Sequence, residues 1–110
     1  MREAKIEAYL VQQVAKRRGE AQKFVSPELN GVPDRLVLWT LGDIDFVELK
    51  AEGEGADDHQ VRDHKRRRAR GFRVFVLNCY AAVDWYIEKG RLLSFAEYMG
   101  MVDMGHPWCV

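Results

Sequence analysis

Gly31 to Lys50, GVPDRLVLWTLGDIDFVELK, is the stretch whose reading decides the fold. Leu36-Val37-Leu38-Trp39 and Ile44 to Leu49 are short apolar runs rich in branched and aromatic residues, and Leu41-Gly42-Asp43 between them is a turn signal. Runs of this kind bounded by Gly and Asp predict two antiparallel strands joined as a hairpin. The charges sit at the outer ends: Asp34 leads into the first strand, while Glu48 and Lys50 close the second. Folding about Gly42 brings Asp34 opposite the region of Leu49 and Lys50. Side chains alternate faces along a strand, so Glu48 and Lys50 share one face, roughly 6.6 Å apart. Two carboxylates and an ammonium therefore converge on one end of the hairpin, which marks it as a candidate site.

Such a trio supports a particular chemistry. Paired carboxylates are hard oxygen ligands that suit Mg²⁺ or Mn²⁺, ions that keep several waters and bind substrate phosphate. A cation held there lowers the pKa of a bound water and neutralises charge on a phosphodiester. The lysine adds positive charge near the reacting phosphate or positions the attacking water. E-x-K alone is too common to carry the reading, since terminal charges on a hairpin often just pair. An Asp preceded by Gly-Val-Pro, with E-x-K at hairpin spacing, is far less frequent.

At 110 residues the chain has the length of one domain with a modest core. Apolar residues make up 47% and charged residues 31%, a balance that excludes a disordered chain. Net charge is zero, yet Arg62 to Arg73 holds seven basic residues against the single acid Asp63. That segment is +6 and the remainder −6, so the overall neutrality hides a strong polarity. Cys79 and Cys109, with no signal peptide or membrane span ahead of them, predict two free thiols in a reducing cytoplasm. His59 and His64 are five apart, unlike the i, i+4 pair of a helical zinc site, and His106 and Cys109 have no matching second pair.

Taken in order, Glu3 to Arg18 predicts a helix, free of Gly and Pro, with Ile6, Leu10 and Val14 on its apolar face. Glu3 projects from the edge of that face; it is either a solvated first-turn acid or a carboxylate leaning over the hairpin. Gln22 to Ser26 predicts a short strand, and Pro33 holds Val32 extended on the approach to Asp34. After the acidic loop Glu52 to Gly55, Asp57 or Asp58 caps a second helix reaching about Arg70. This helix is nearly devoid of apolar residues, so it is a solvated face or a surface for a phosphate backbone. Phe72 to Asn78 is apolar on both faces and is expected inside the sheet. A third helix covers Ala81 to Lys89.

Together, a leading helix with a glutamate, then G-V-P-D, then V-E-L-K, then a helix opening with Gln60 resembles the VRR-NUC family, the virus-type replication-repair nucleases. These belong to the PD-(D/E)XK nuclease superfamily. The similarity covers about residues 1–88, most specifically KFVSPELNGVPDRLVL and FVELKAEGE. It implies an α/β fold with an αβββαβ core, a mixed sheet flanked by helices, over about 1–90, with a C-terminal extension over 91–110. It implies a Mg²⁺- or Mn²⁺-dependent phosphodiesterase acting on DNA in a cytoplasm of phage or bacterial type. Its site falls on Glu3, Asp34, Glu48, Lys50 and Gln60, with Asp34, Glu48 and the Leu49 carbonyl as metal ligands. Glu7, one helical turn on, competes with Glu3 for the helix position. Small members of the family resemble Holliday-junction resolvases and act as homodimers.

The expected function is thus a structure-selective DNA endonuclease. The expected DNA contacts are Arg35, Arg62, Lys65, Arg66, Arg67 and Arg70. A sequence-specific restriction-like nuclease, a non-catalytic nucleic-acid-binding module and a small interaction protein are the rival readings. Leu92, Leu93, Phe95, Tyr98, Met99, Met101, Val102, Met104 and Trp108 offer more apolar surface than one closed domain should need, which points to a tail contributing to a homodimer interface.

Overall fold

The expected hairpin forms where its two apolar runs lie. In the computed structural model, which describes residues 1–110, the chain runs α1 (Glu3–Lys16), β1 (Glu20–Lys23), β2 (Arg35–Leu38), β3 (Ile44–Leu49), α2 (Asp58–Arg68), β4 (Arg73–Leu77), α3 (Tyr80–Glu88) and α4 (Phe95–Asp103). The hairpin turns through a short 3₁₀ segment, Thr40–Gly42, with Leu41 and Gly42 both at positive φ. Strand order is β1-β2-β3-β4: the first two pairings are antiparallel, and β3 runs parallel to β4 through α2. This is the αβββαβ core expected from the residues, followed by two helices.

Two faces of the sheet are filled differently. Asp45, Val47 and Leu49 alternate onto the face under α1 and α3, where Ile6, Leu10, Val14, Phe75, Leu77, Val83 and Tyr86 complete the main core. One charge is buried in that layer. Asp45 accepts from Arg73 Nε at 2.7 Å and from the Tyr86 hydroxyl at 2.6 Å, and Trp39 Nε1 donates to the same hydroxyl at 3.0 Å. Burial pushes the Asp45 carboxyl up more strongly than the Arg73 guanidinium pulls it down. Every polar atom named there has a partner, as a buried charge requires.

The opposite face lies under α2. Phe46 packs between Phe24 and Phe72, with ring centroids 5.8 and 5.7 Å away, and the Arg67 guanidinium lies 4.6 Å over the Phe46 ring. Asp63, fully buried on α2, holds Arg67 at 2.8 Å. The polar helix thus covers the sheet with a stacked guanidinium where most helices use Leu. His64 is buried beside it, and neither ring nitrogen has a partner.

The C-terminal segment corrects one expectation. β4 is the outer strand of the sheet, not an inner one. Its two faces are apolar because α3 packs on one and α2 on the other, and residues 108–110 close its free edge. Val76 N–H donates to the Trp108 carbonyl, Val110 N–H donates to the Val74 carbonyl, and Cys109 bridges antiparallel to Phe75. Tyr98 of α4 is buried with its hydroxyl donating to the Val74 carbonyl at 2.7 Å. Much of the apolar tail folds back over its own domain, where Met99, Met101, Val102 and Trp108 pack against the core, while Leu92, Phe95 and Met104 stay exposed. Both cysteines are free thiols, and no helix is long and apolar enough to cross a membrane. β1 begins two residues earlier than expected and ends at Lys23, since Val25 is exposed and Pro27 follows.

Burial pulls the His64 imidazole down to about 4, and the charges of Arg68 and Arg67 act in the same direction against Asp63. The folded protein therefore holds neutral His64 while the unfolded chain takes up a proton near pH 6.5. The His64 contribution to stability is complete above pH 6.5 and falls by about 1.4 kcal/mol per pH unit down to pH 4. In denaturant titrations between pH 7 and 4.5, the wild type should lose about 1.4 kcal/mol per pH unit relative to His64→Leu below pH 6.5, with the opposing Glu48 slope common to both; parallel curves would assign the acid lability to another group.

Candidate active site

Asp34, Glu48, Lys50 and Gln60 meet at the C-terminal end of β3. The pairing of Arg35 with Val47 puts Asp34 level with Glu48, as folding about Gly42 predicts. Asp34 Oδ2 accepts a hydrogen bond from the Leu49 amide at 2.9 Å, which fixes the carboxylate against the strand end. Glu48 and Lys50 point to the same face, with Lys50 Nζ 3.7 Å from Glu48 Oε2. Lys50 is itself held in the sheet by its amide donating to the Leu77 carbonyl.

Gln60 reaches this group because of how α2 begins. Asp57 caps the helix, accepting from the Gln60 amide at 2.9 Å, and Gln60 Oε1 accepts from the Asp57 amide at 3.0 Å, a reciprocal capping box. The cap orients the Gln60 side chain, whose Nε2 donates to Glu48 Oε2 at 2.7 Å. Gly31 makes this approach possible: at φ +78°, a Cβ there would lie 2.7 Å from the His59 carbonyl carbon and oxygen. The loop before Asp34 is thereby pressed against the first turn of α2. Asp57 is the functional residue that reading the sequence undervalued. Its D-x-x-Q spacing was visible as a helix start but not as the device that aims Gln60.

Electrostatically the group is unbalanced. Only 2% of Glu48 is exposed, and its Oε1 has no partner. Burial, and then the neighbouring Asp34 charge, push its carboxyl up to about 8 against the pull of Lys50. A buried carboxylate with a free oxygen next to a second carboxylate has a deficit of positive charge. The donor set of Asp34, Glu48 and the Leu49 carbonyl fits a hard divalent cation that keeps most of its waters.

The two helix glutamates separate by environment. Glu7 carries ion pairs to Arg35 at 2.8 Å and Lys23 at 3.2 Å, which hold its carboxyl low despite partial burial. Glu3 is raised, first by burial and then by the charge of Asp34, which puts it within the field of that carboxylate. The expected DNA contacts divide similarly. Arg35 spends its donors on Glu7 and the Ala21 carbonyl, and Arg67 on Asp63 and the Phe46 ring; both are half-buried internal contacts. Arg62, Lys65, Arg66 and Arg70 remain on the exposed side of α2.

A mixed sheet of this pairing, with two carboxylates and a lysine at the end of its third strand, defines a nuclease of the PD-(D/E)XK class. No protein-family model matches the chain. It is similar to a solved VRR_NUC domain at 36% identity and a TM-score of 0.75, covering 79% of this chain and 95% of that one. It is also 51% identical over 78 residues to the protein named "Putative nuclease p44" of Acyrthosiphon pisum secondary endosymbiont phage 1, covering 71% of this chain and 84% of that one. The chain belongs to the VRR-NUC family.

Ionised Glu48 opposes folding above its ordinary carboxylate range, because its folded pKa near 8 makes the charged form costly from about pH 4.5 upward. Glu48→Gln, which keeps the Gln60 contact site but removes the charge, should raise metal-free stability at pH 8.5 by about 1–3 kcal/mol. Adding Mg²⁺ should raise the melting temperature of the wild type and leave that of Glu48→Gln unmoved; an equal shift in both would place the cation elsewhere.

Proposed function

We propose that this nuclease is a Mg²⁺- or Mn²⁺-dependent, structure-selective DNA endonuclease, resolvase-like in substrate and working as a homodimer. The observation that supports it most is Glu48: a buried carboxylate with an unpartnered oxygen, set beside Asp34, Lys50 and Gln60. Asp34, Glu48 and the Leu49 carbonyl would hold the cation. When bound, it neutralises charge on the phosphodiester and lowers the pKa of the attacking water.

The chain's own residues do the rest. Gln60 engages Glu48 Oε2, which leaves Oε1 without a protein partner and free to take the cation. Lys50 presents its ammonium at the same strand end, where it orients the water and meets the charge growing on the phosphate. Glu3 adds a further carboxylate from α1. Oxygen of water bonds to phosphorus as the bond to the 3′-oxygen breaks, and the departing oxygen is protonated from solvent. The exposed cations of α2 take the phosphate backbone without regard to sequence, and two such sites related by a two-fold axis suit a branched substrate with two symmetric strands.

Labelled four-way junction, flap and duplex DNA, incubated with and without Mg²⁺ or Mn²⁺, test the reading directly. Asp34→Ala, Glu48→Ala and Lys50→Ala should each lower cleavage by about 10²-fold or more, and Glu3→Ala should lower it further than Glu7→Ala at equal fold stability. Full activity in Lys50→Ala would refute the assigned site. Cleavage confined to one short sequence would make the enzyme restriction-like, and metal-independent binding with no cleavage would make it a binding module.

A second outcome concerns α2. Charge reversal of Arg62, Lys65 and Arg70 should weaken binding about equally for all DNA sequences and reduce its salt dependence, by roughly 0.9 in the logarithmic slope for each lost phosphate contact. Arg67→Glu should instead unfold or destabilise the domain, as judged by its melting temperature, because Arg67 covers the Phe46 ring.

A further inference from the structure

At the same end of the sheet as the carboxylate site, between the first turns of α1 and the start of α3, lies a cleft of two adjoining hollows, ≈ 640 and ≈ 460 Å³, built by neither helix alone. Its deeper part, ≈ 640 Å³, is bordered by Arg2, Lys5, Glu52 and Tyr80. It continues along α1 as a second hollow bordered by Lys5, Tyr9, Gln12 and Tyr80. From Arg2 to Gln12 the helix axis advances about 15 Å, the reach of a few nucleotides.

Tyr80 is the centre of this surface. It is 38% exposed, an aromatic ring at the first position of a helix where burial gives it no reason to be large. Its inner side rests on Tyr9, with ring centroids 4.5 Å apart, and Tyr9 is in turn fixed by its hydroxyl donating to Asp84 at 2.6 Å. The result is a braced ring with one side in solvent and two cations, Arg2 and Lys5, on its border. Glu52 is the only acid on that border.

The cleft opens at the same end of the sheet as the reacting groups. Lys50 N–H donates to the Leu77 carbonyl, so Tyr80 follows three residues after the strand position beside Lys50, at most about 11 Å of chain. Asn78 donates to the Glu54 carbonyl, and the Glu52 amide donates to the Met1 carbonyl, tying the loop after Lys50 to both walls of the cleft. Glu3, within the field of Asp34, sits on the same helical turn as Arg2 and Lys5.

We propose that Tyr80, with Lys5 and Arg2, forms a stacking subsite for an unpaired nucleotide next to the scissile phosphate. The base lies on the open side of the Tyr80 ring and its phosphate meets Lys5 and Arg2. Any base presents a π-face, so the subsite accepts sequence broadly while requiring that the nucleotide be unpaired. It rests on the nuclease reading and supplies a physical reason for preferring branched or frayed DNA to intact duplex.

The test uses the full chain, a duplex carrying a single-stranded flap with 2-aminopurine at the junction, and the same sequence fully paired. Tyr80→Ala and Tyr80→Leu should each lose about tenfold in flap affinity, the lower end of the range for one stacked base, with paired duplex unchanged. Tyr80→Phe should retain flap affinity and the quenching of 2-aminopurine fluorescence, and Lys5→Ala should weaken the flap more than the duplex. Tyr80→Leu keeps apolar contact with Tyr9, so it reports on stacking if the alanine variant is unstable. Equal losses on flap and duplex, or none on either, would overturn the subsite. If the wild type cuts the flap and Tyr80→Leu keeps its flap-to-duplex ratio, the subsite fails and the nuclease reading stands. If the affinity difference holds but no DNA is cut, the nuclease reading fails and the subsite stands.

Discussion

The register of β3 is the constraint on which the rest of this structure depends. Asp45, Val47 and Leu49 face the apolar layer under α1 and α3, while Phe46, Glu48 and Lys50 face α2. A slip of one residue would exchange the two sets, carrying both site charges into the core. The strand is pinned at each end by a charged contact. At its start Asp45 binds Arg73 across the parallel pairing with β4, and at its finish the Leu49 amide binds Asp34 across the hairpin. Apolar burial makes the strand form, and these two contacts decide where it stops sliding.

The two buried acids show what distinguishes a structural charge from a chemical one. Asp45 and Glu48 lie three residues apart on the same strand, both raised by burial. Asp45 has a guanidinium and a phenol at hydrogen-bond distance and no oxygen to spare. Glu48 has an amide and a more distant ammonium on one oxygen, and nothing on the other. An unsatisfied buried acceptor is expensive, so its persistence beside Asp34 marks the place where the fold gives up stability for chemistry.

Much of this was legible in the residues. The branched and aromatic run Ile44 to Leu49 marked the strand, side-chain alternation along it put Glu48 and Lys50 on one face, and the Gly-Asp turn marked the hairpin that brings Asp34 to them. Helix capping signals located α2, and so Gln60. What escaped were contacts made by residues whose composition suggests the opposite role. Arg67 and Asp63 read as surface charges, yet one stacks on Phe46 and the other is buried to hold it. The both-sides apolar character of β4 read as an inner strand, because periodicity cannot say whether a sheet neighbour or a returning tail closes an edge. Glu3 and Glu7 could not be told apart by spacing, since only Arg35 and Lys23, distant in sequence, claim Glu7.

Gln60 sits in two cooperative systems at once, the cap of α2 and the grip on Glu48. Helix ends open locally at lower free energy than a core, and the capping box is what holds this end closed. Each opening of the Asp57–Gln60 box would release Glu48 Oε2 as well, without disturbing the sheet below. The aim of Gln60 on Glu48 is thus tied to the stability of a helix end, not to that of the whole fold. Amide exchange at Gln60 becomes a clock for how long the carboxylate stays aimed, and heating should loosen this corner well before the core gives way.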